Sequence, residues 1–195
     1  MGAATLVRTA TTDHPVLDVL AERWSPRAFD AEAPIDEAKL ASALEAARWS
    51  PSASNTQPWR FIVARRGSTE HAAIAEALVG FNRAWAPNAS VLLVAIAEVA
   101  DEAGEPRRWA QYDLGQAMAH FSVQAHHEGL HVHQMGGFDV EAVRARFGLD
   151  ERFVPLTVSA IGVFGDHRSL PEKLLERETA PRVRRPLRDS VIVDA

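Results

Sequence analysis

Val91-Leu92-Leu93-Val94-Ala95-Ile96-Ala97 is apolar at every position. A run this short, with no polar alternation, reads as a central β-strand covered on both faces. Such a strand needs helices on each side, and the neighbouring sequence offers them. Upstream, a helix is expected from about Asp36, after Pro34, with Leu40, Ala43, Leu44 and Ala47 on one face until Pro51 stops it. Trp59 to Ala64 reads as a strand, and Ser68 caps a helix that runs to Leu78. Downstream, the longest helix is expected from Trp109 to Glu128, because Leu114, Ala117, Met118, Phe121 and Ala125 recur at helical spacing and Gly129 supplies the stop.

The outer segments follow the same logic. Leu130 to Gln134 is expected to be extended, Asp139 to cap a helix ending at Gly148, and Leu156 to Phe164 to form a β-branched strand. At the N-terminal end, Asp13 is read as the cap of a helix carrying Pro15, Val16, Leu17, Val19 and Leu20 and finishing at Arg23. Leu170 to Leu175 reads as a short helix. The tail from Thr179 ends in Val191-Ile192-Val193, which is expected to add a strand to its own sheet or to that of a partner. Strands and helices alternate in an α+β layout within a single domain, residues 1–195, and 182–195 form a C-terminal arm.

Composition narrows the function. The chain has 195 residues, 47% of them hydrophobic, enough for one sizeable core. A formal net charge of -5 argues against a broad nucleic-acid footprint, which would need a basic surface to replace phosphate counterions. Cysteine is absent, so disulfides, thiolate metal sites and a cysteine nucleophile are excluded. No apolar stretch approaches the roughly 18 residues of a membrane span, and Met1 to Thr12 lacks the pattern of a secretory leader, so a cytoplasmic protein without membrane attachment is expected.

Several local clusters carry chemistry. Pro51-Ser52-Ala53-Ser54-Asn55-Thr56-Gln57-Pro58-Trp59 packs small and amide side chains between two helix breakers, a loop suited either to a plain helix-to-strand turn or to gripping a flat polar ligand. Arg23-Trp24-Ser25-Pro26-Arg27 gathers two guanidinium groups and a hydroxyl past the end of a helix, either as surface charges paired with Asp30, Glu32 or Glu178 or as donors to one anion. If the segment near Arg182 is extended, Arg182 and Arg184 share a face while Arg185 points away. Gly136-Gly137 follows a short strand, as an ordinary turn or as a place where backbone can approach a ring. His131 and His133, with His126 and His127 nearby, read as exposed or interface histidines; no metal site is expected. There is no glycine-rich phosphate loop with Lys-Ser or Lys-Thr, no G-x-S-x-G, no H-E-x-x-H and no G-x-G-x-x-G.

In this order, the Arg23 cluster, the Pro51 loop, Phe81-Asn82, Met135-Gly136-Gly137-Phe138-Asp139 and Arg182-Val183-Arg184-Arg185-Pro186-Leu187 resemble the nitroreductase family, flavoenzymes that hold FMN between two subunits. The resemblance implies an α/β sandwich with a central, mostly antiparallel sheet flanked by helices and an extended C-terminal arm, assembled as a homodimer. It implies that Arg23, Trp24 and Ser25 form the phosphate and ribityl segment, that Arg27 reaches the N1 and O2 edge of the flavin, and that Arg182 and Arg184 join the phosphate site. It places Pro51, Ser52, Ala53 and Asn55 against the flavin from the opposite subunit, with Asn82, Met135, Gly136 and Gly137 beside the ring and the Gly136 amide towards N5. Where the family often has a lysine three residues beyond the asparagine matched by Asn82, this chain has Trp85.

The activity so implied is FMN-dependent. NAD(P)H reduces the flavin at N5 and leaves, and a small-molecule acceptor such as a nitroaromatic, quinone or activated alkene replaces it, with no acid, base or nucleophile from the protein. A non-catalytic FMN-binding dimer, or a flavin-consuming or dehalogenating enzyme on the same scaffold, is the alternative.

Overall fold

The computed structural model describes residues 6–193; residues 1–5, within the stretch read for a leader, and the last two of the arm, 194 and 195, lie outside it. Four strands, β1 (Trp59–Arg65), β2 (Val91–Glu98), β3 (His131–Met135) and β4 (Phe153–Gly162), form one sheet in the order β1-β2-β4-β3. Every pairing is antiparallel, with Ile62 opposite Val94, Val94 opposite Val158 and Gln134 opposite Ser159. All eight residues of β2 are buried, as its unbroken apolar run requires. A register shift at Ala95/Ile96 lets Pro155 sit in β4, where it cannot donate to the ladder.

Helices cover both faces. On one side α2 (Glu37–Arg48) and α4 (Ala110–His127) bury Leu40, Ala43, Ala47, Leu114, Ala117, Met118 and Phe121 against Val91, Leu93 and Ala95. On the other, α3 (Thr69–Ala77), α5 (Val140–Phe147) and α6 (Glu172–Thr179) bring Ile74, Val143 and Leu174 against Leu92, Val94, Ile96 and Val158. The result is the α+β sandwich that the alternation of elements implies. The caps are where the sequence puts them: Asp36 accepts from Ala38 and Lys39, Ser68 from His71, and Asp139 from Ala142, while Gly148 closes α5 in the left-handed region at φ 61°. Beyond the sheet, the buried Glu98 gathers Arg60, Arg107 and Arg152, so part of the arginine content is spent on scaffold.

Three elements differ from expectation, and the tail adds no strand to its own sheet. The first helix, α1, spans only Asp18–Glu22 and starts from Leu17 without a side-chain cap, so Asp13 caps nothing and Val16, Leu17 and Leu20 stay exposed. With no residue of α1 buried, the predicted first turn has no packing to hold it. Strand β4 begins three residues earlier than predicted and ends at Gly162, Phe164 continuing only as an isolated bridge to Phe29. Helix α6 begins after Pro171 and runs to Thr179, four residues past the predicted end at Leu175. The tail forms a short 3-10 turn, Leu187–Ser190, rather than a strand of its own sheet, and Ile192 is 98% exposed.

Candidate functional site

The segment at the end of α1, leading into the loop before α2, is tied to the C-terminal segment by arginines used in two ways. Arg182 Nη1 donates to the carbonyl of Ala21 at 2.6 Å and to that of Arg8, and its Nη2 donates to the carbonyl of Arg23 at 2.9 Å. Arg8 donates to the carbonyls of Glu178 and Ala180. Arg182 is therefore committed in part to backbone, and its place in the arginine cluster is set by those bonds. Arg184 is near enough to Arg23 to disfavour its charge. Burial first, and then Arg184, hold the Arg23 guanidinium below its ordinary value; burial followed by Arg23, Arg184 and Arg8 do the same to Arg182. Among the described residues no carboxylate lies within 4.0 Å of a guanidinium nitrogen of Arg8, Arg23, Arg182 or Arg184. A cationic cluster without counter-charge is suited to an anionic ligand.

Arg23 and Ser25 also border a cleft of about 380 Å³ with Leu20, Ser122, Val132 and Gln134. Arg27 differs from its neighbours in having a carboxylate partner, the buried Glu178 at 3.4 Å, which is the ion-pair alternative weighed for these arginines. Trp24 is buried, edge-on to His131 and Phe164 with Arg8 over its ring, so the indole packs the scaffold and does not reach for a ligand. Met135 is likewise buried in the core, which leaves its backbone alone for any ligand.

At the end of β3, Asn82 Nδ2 donates to the Gly137 carbonyl at 3.2 Å, so Asn82 and the diglycine meet. A Cβ on Gly137 would come within 2.9 Å of that amide nitrogen, which explains glycine there. A Cβ on Gly136 would meet nothing within 4 Å: its exposed backbone faces open space. Trp85 is 1% exposed and lies between Phe29 and His133, a core residue.

The Pro51 loop is a 3-10 turn, Ala53–Asn55, with Ser54, Asn55 and Gln57 all at positive φ. Non-glycine residues there are strained and persist only when neighbours over-determine them. Ser52 Oγ accepts from Gln57 N at 3.0 Å, and Asp113, in the first turn of α4, accepts from Ala53 N at 3.0 Å. Pro51, Ser52 and Ala53 then share a recess of about 300 Å³ with Trp109, Tyr112 and Gln116, the tyrosine 66% exposed.

The two halves stand at different heights on α4. Asp113 marks the loop and Ser122 the arginine cleft, nine residues and so about 13 Å apart along the helix. The helix surface between them shows exposed Gly115 and Ala119. One protomer thus brings Arg23, Ser25, Arg182 and Arg184 together, and Asn82 with Gly136 and Gly137, but it holds Pro51, Ser52, Ala53 and Asn55 against a different part of α4.

One residue that matters here escaped sequence reading: Asp113, which sits among apolar positions of α4, an acid on an apolar stripe being the available signal. Glu178, named above among the possible ion-pair partners of the arginines, shares the buried face of α6 with Leu174 one turn earlier. The histidines also differ from expectation. His131 and His133 are largely buried, and burial above all pushes each down to about 4, His126 adding to the effect on His131, while for His133 the Pro26 carbonyl and the Arg27 charge oppose one another. His133 Nδ1 lies 2.8 Å from the Pro26 carbonyl, whereas the buried Nδ1 of His131 has no partner.

The family model described as the nitroreductase family matches residues 20–95 and 75–163. A crystal structure of an oxidoreductase containing FMN is 36% identical over 97% of this chain and 96% of its own, with a TM-score of 0.87. An NADH dehydrogenase of Thermus thermophilus is 31% identical, covering 76% of this chain and 87% of its own. A 15.4 kDa protein from the ask 5' region of Mycolicibacterium smegmatis is 38% identical over 64% of this chain and 88% of its own.

Proposed function

The chain belongs to the nitroreductase family, and from that premise we propose that it is an FMN-dependent oxidoreductase acting as a homodimer with two composite sites. The observation that carries this is the cluster of Arg23, Arg182 and Arg184, which lacks a carboxylate among the described residues, and in which burial and then the neighbouring guanidinium charges hold Arg23 and Arg182 below their ordinary values. A phosphate monoester dianion supplies what that cluster lacks. The open space at Gly136 supports a planar ring beside the β3 end, where a backbone N–H can donate to it. The residues therefore fit FMN. The 36%-identical oxidoreductase containing FMN supports the same cofactor.

Bound FMN would supply two-electron redox chemistry at N5, between NAD(P)H and a nitroaromatic, quinone or activated alkene. The protein's own residues bind, orient and exclude water. Arg23, Ser25 and Arg184 hold the phosphate end, and Arg182 keeps their loop in place through three carbonyls. Arg27 presents a cation to the ring edge where negative charge develops. Asn82 orients the diglycine. Nicotinamide and acceptor use the same open face in turn, which gives ping-pong kinetics.

Dimerisation follows from the separation of the two halves along α4 and from the exposed apolar surface of Val16, Leu17, Leu20, Val183, Leu187, Val191, Ile192 and Val193. The Pro51 loop of one protomer then reaches the flavin held by the other. Stopped-flow mixing of the FMN-loaded protein with NADH and with NADPH tests the reading: bleaching of the oxidised flavin band by at least one is expected, and restoration of the band by a quinone. Absence of bleaching with both, while FMN stays bound, would leave a non-catalytic flavin-binding dimer.

A further inference from the structure

Glu178 enters the arginine-rich loop from α6 with its side chain fully buried, 0% exposed. Its Oε1 accepts from the backbone N–H of Arg27 at 2.7 Å and of Ala28 at 3.1 Å, and its Oε2 lies 3.4 Å from Arg27 Nη1. Arg27 itself is 22% exposed, so its guanidinium reaches from a buried carboxylate towards the surface. A buried carboxylate is costly unless every lone pair finds a donor. Here two backbone donors and one cation meet it. Arg8, donating to the carbonyls of Glu178 and Ala180, fixes the same segment from outside.

This arrangement does two things to Arg27. It fixes the backbone from which the side chain projects. It also sets a negative charge beside the guanidinium, and a third charge nearby feels the difference of the two. We propose that Glu178 is a positioning residue that holds Arg27 at the flavin and offsets part of its charge, so that the pair, not Arg27 alone, sets how much more tightly reduced FMN binds than oxidised FMN. The inference rests on the reading of Arg27 as the cation beside the N1 and O2 edge. It is confined to this chain's own residues, and its readout is binding, not turnover.

Glu178→Gln separates the two effects. The amide oxygen still accepts from Arg27 N and Ala28 N, whereas the amide nitrogen presents hydrogens to the guanidinium and attracts it no longer. The experiment measures dissociation constants of oxidised and anaerobically reduced FMN for the full-length protein and for E178Q, R27M and the double variant. The ratio of oxidised to reduced constants is expected to rise about tenfold in E178Q, equivalent to about 30 mV of two-electron potential. It should fall in R27M, and E178Q should change it by less than about twofold when Arg27 is absent, since coupled residues are not additive. Should E178Q not fold, Glu178→Asp carries the comparison, raising the ratio by a smaller factor and losing that effect in the R27M background. An equal effect in both backgrounds, a lowered ratio or an unchanged one would overturn the proposal. R27M leaving the ratio unchanged while FMN still binds would remove Arg27 from the ring edge, and failure of the parent protein to bind FMN would remove the cofactor reading itself.

Discussion

Asp113 does for the Pro51 loop what Glu178 does for Arg27: a buried carboxylate from a helix accepts a backbone N–H of a loop and holds it in a conformation the loop would not choose alone. With Ser54, Asn55 and Gln57 at positive φ, the loop depends on such ties. Asp113→Ala is expected to lower stability by about 1–3 kcal/mol, the cost of leaving the Ala53 N–H without its partner, with a parallel loss of FMN affinity in a denaturant and flavin titration pair. Unchanged affinity would separate the loop from the site. Arg23, Ser25, Asn82 and Gly137 were legible in the sequence because each belongs to a local motif. Asp113 was not, since its hydrogen-bond partner lies 60 residues away in the chain; Glu178 was legible as one of three possible ion-pair partners, but not its tie to a backbone N–H 150 residues away. Trp24 and Met135 were legible as positions, but a motif does not say that their side chains turn into the core.

Helix caps make the element scale the most readable one. Asp36, Ser68 and Asp139 each precede an apolar stripe, and each accepts a first-turn N–H in the structure. Asp139 follows Gly136-Gly137 with only Phe138 between, and its own N–H donates to the Ala77 carbonyl at 2.7 Å, so the turn and the start of α5 are set together. Asp139→Ala is expected to cost about 1 kcal/mol, read as a shift of the denaturant midpoint at constant m; no shift would show that the cap adds nothing beyond the backbone contact. The first helix was misread, and the place of the tail stayed open between its own sheet and a partner's, for one physical reason. Val16, Leu17, Leu20 and Val191 to Val193 form apolar patterns that ask for a covering surface, and the sequence cannot say whether that surface lies in the same chain.

At the scale of the whole molecule, acid is the expected weakness. His131 and His133 are held down to about 4 against an ordinary 6.5, so the folded state binds fewer protons than the unfolded one between those values. Their contribution is complete above pH 6.5 and is lost as pH falls towards 4, at about 1.4 kcal/mol per unit for each histidine. Thermal melts across this range should steepen accordingly, and His131→Phe, which suits an aromatic surround of Trp24 and Phe164, should flatten the loss. A melt of the variant that tracks the parent at every pH would remove His131 as a cause.

The larger claim is that one flavin site draws on two protomers, and mixing inactive partners tests it most directly. A chain with Arg23→Ala and Arg184→Ala keeps its Pro51 loop, and a chain with Ala53→Tyr keeps its arginines; each alone should form dimers that bind little FMN. After exchange, random pairing makes half the dimers mixed and gives each mixed dimer one intact site, so about a quarter of the parent flavin-binding capacity should return. If each variant is dimeric and exchanges, yet no binding returns, the site lies within a single protomer and the account is wrong.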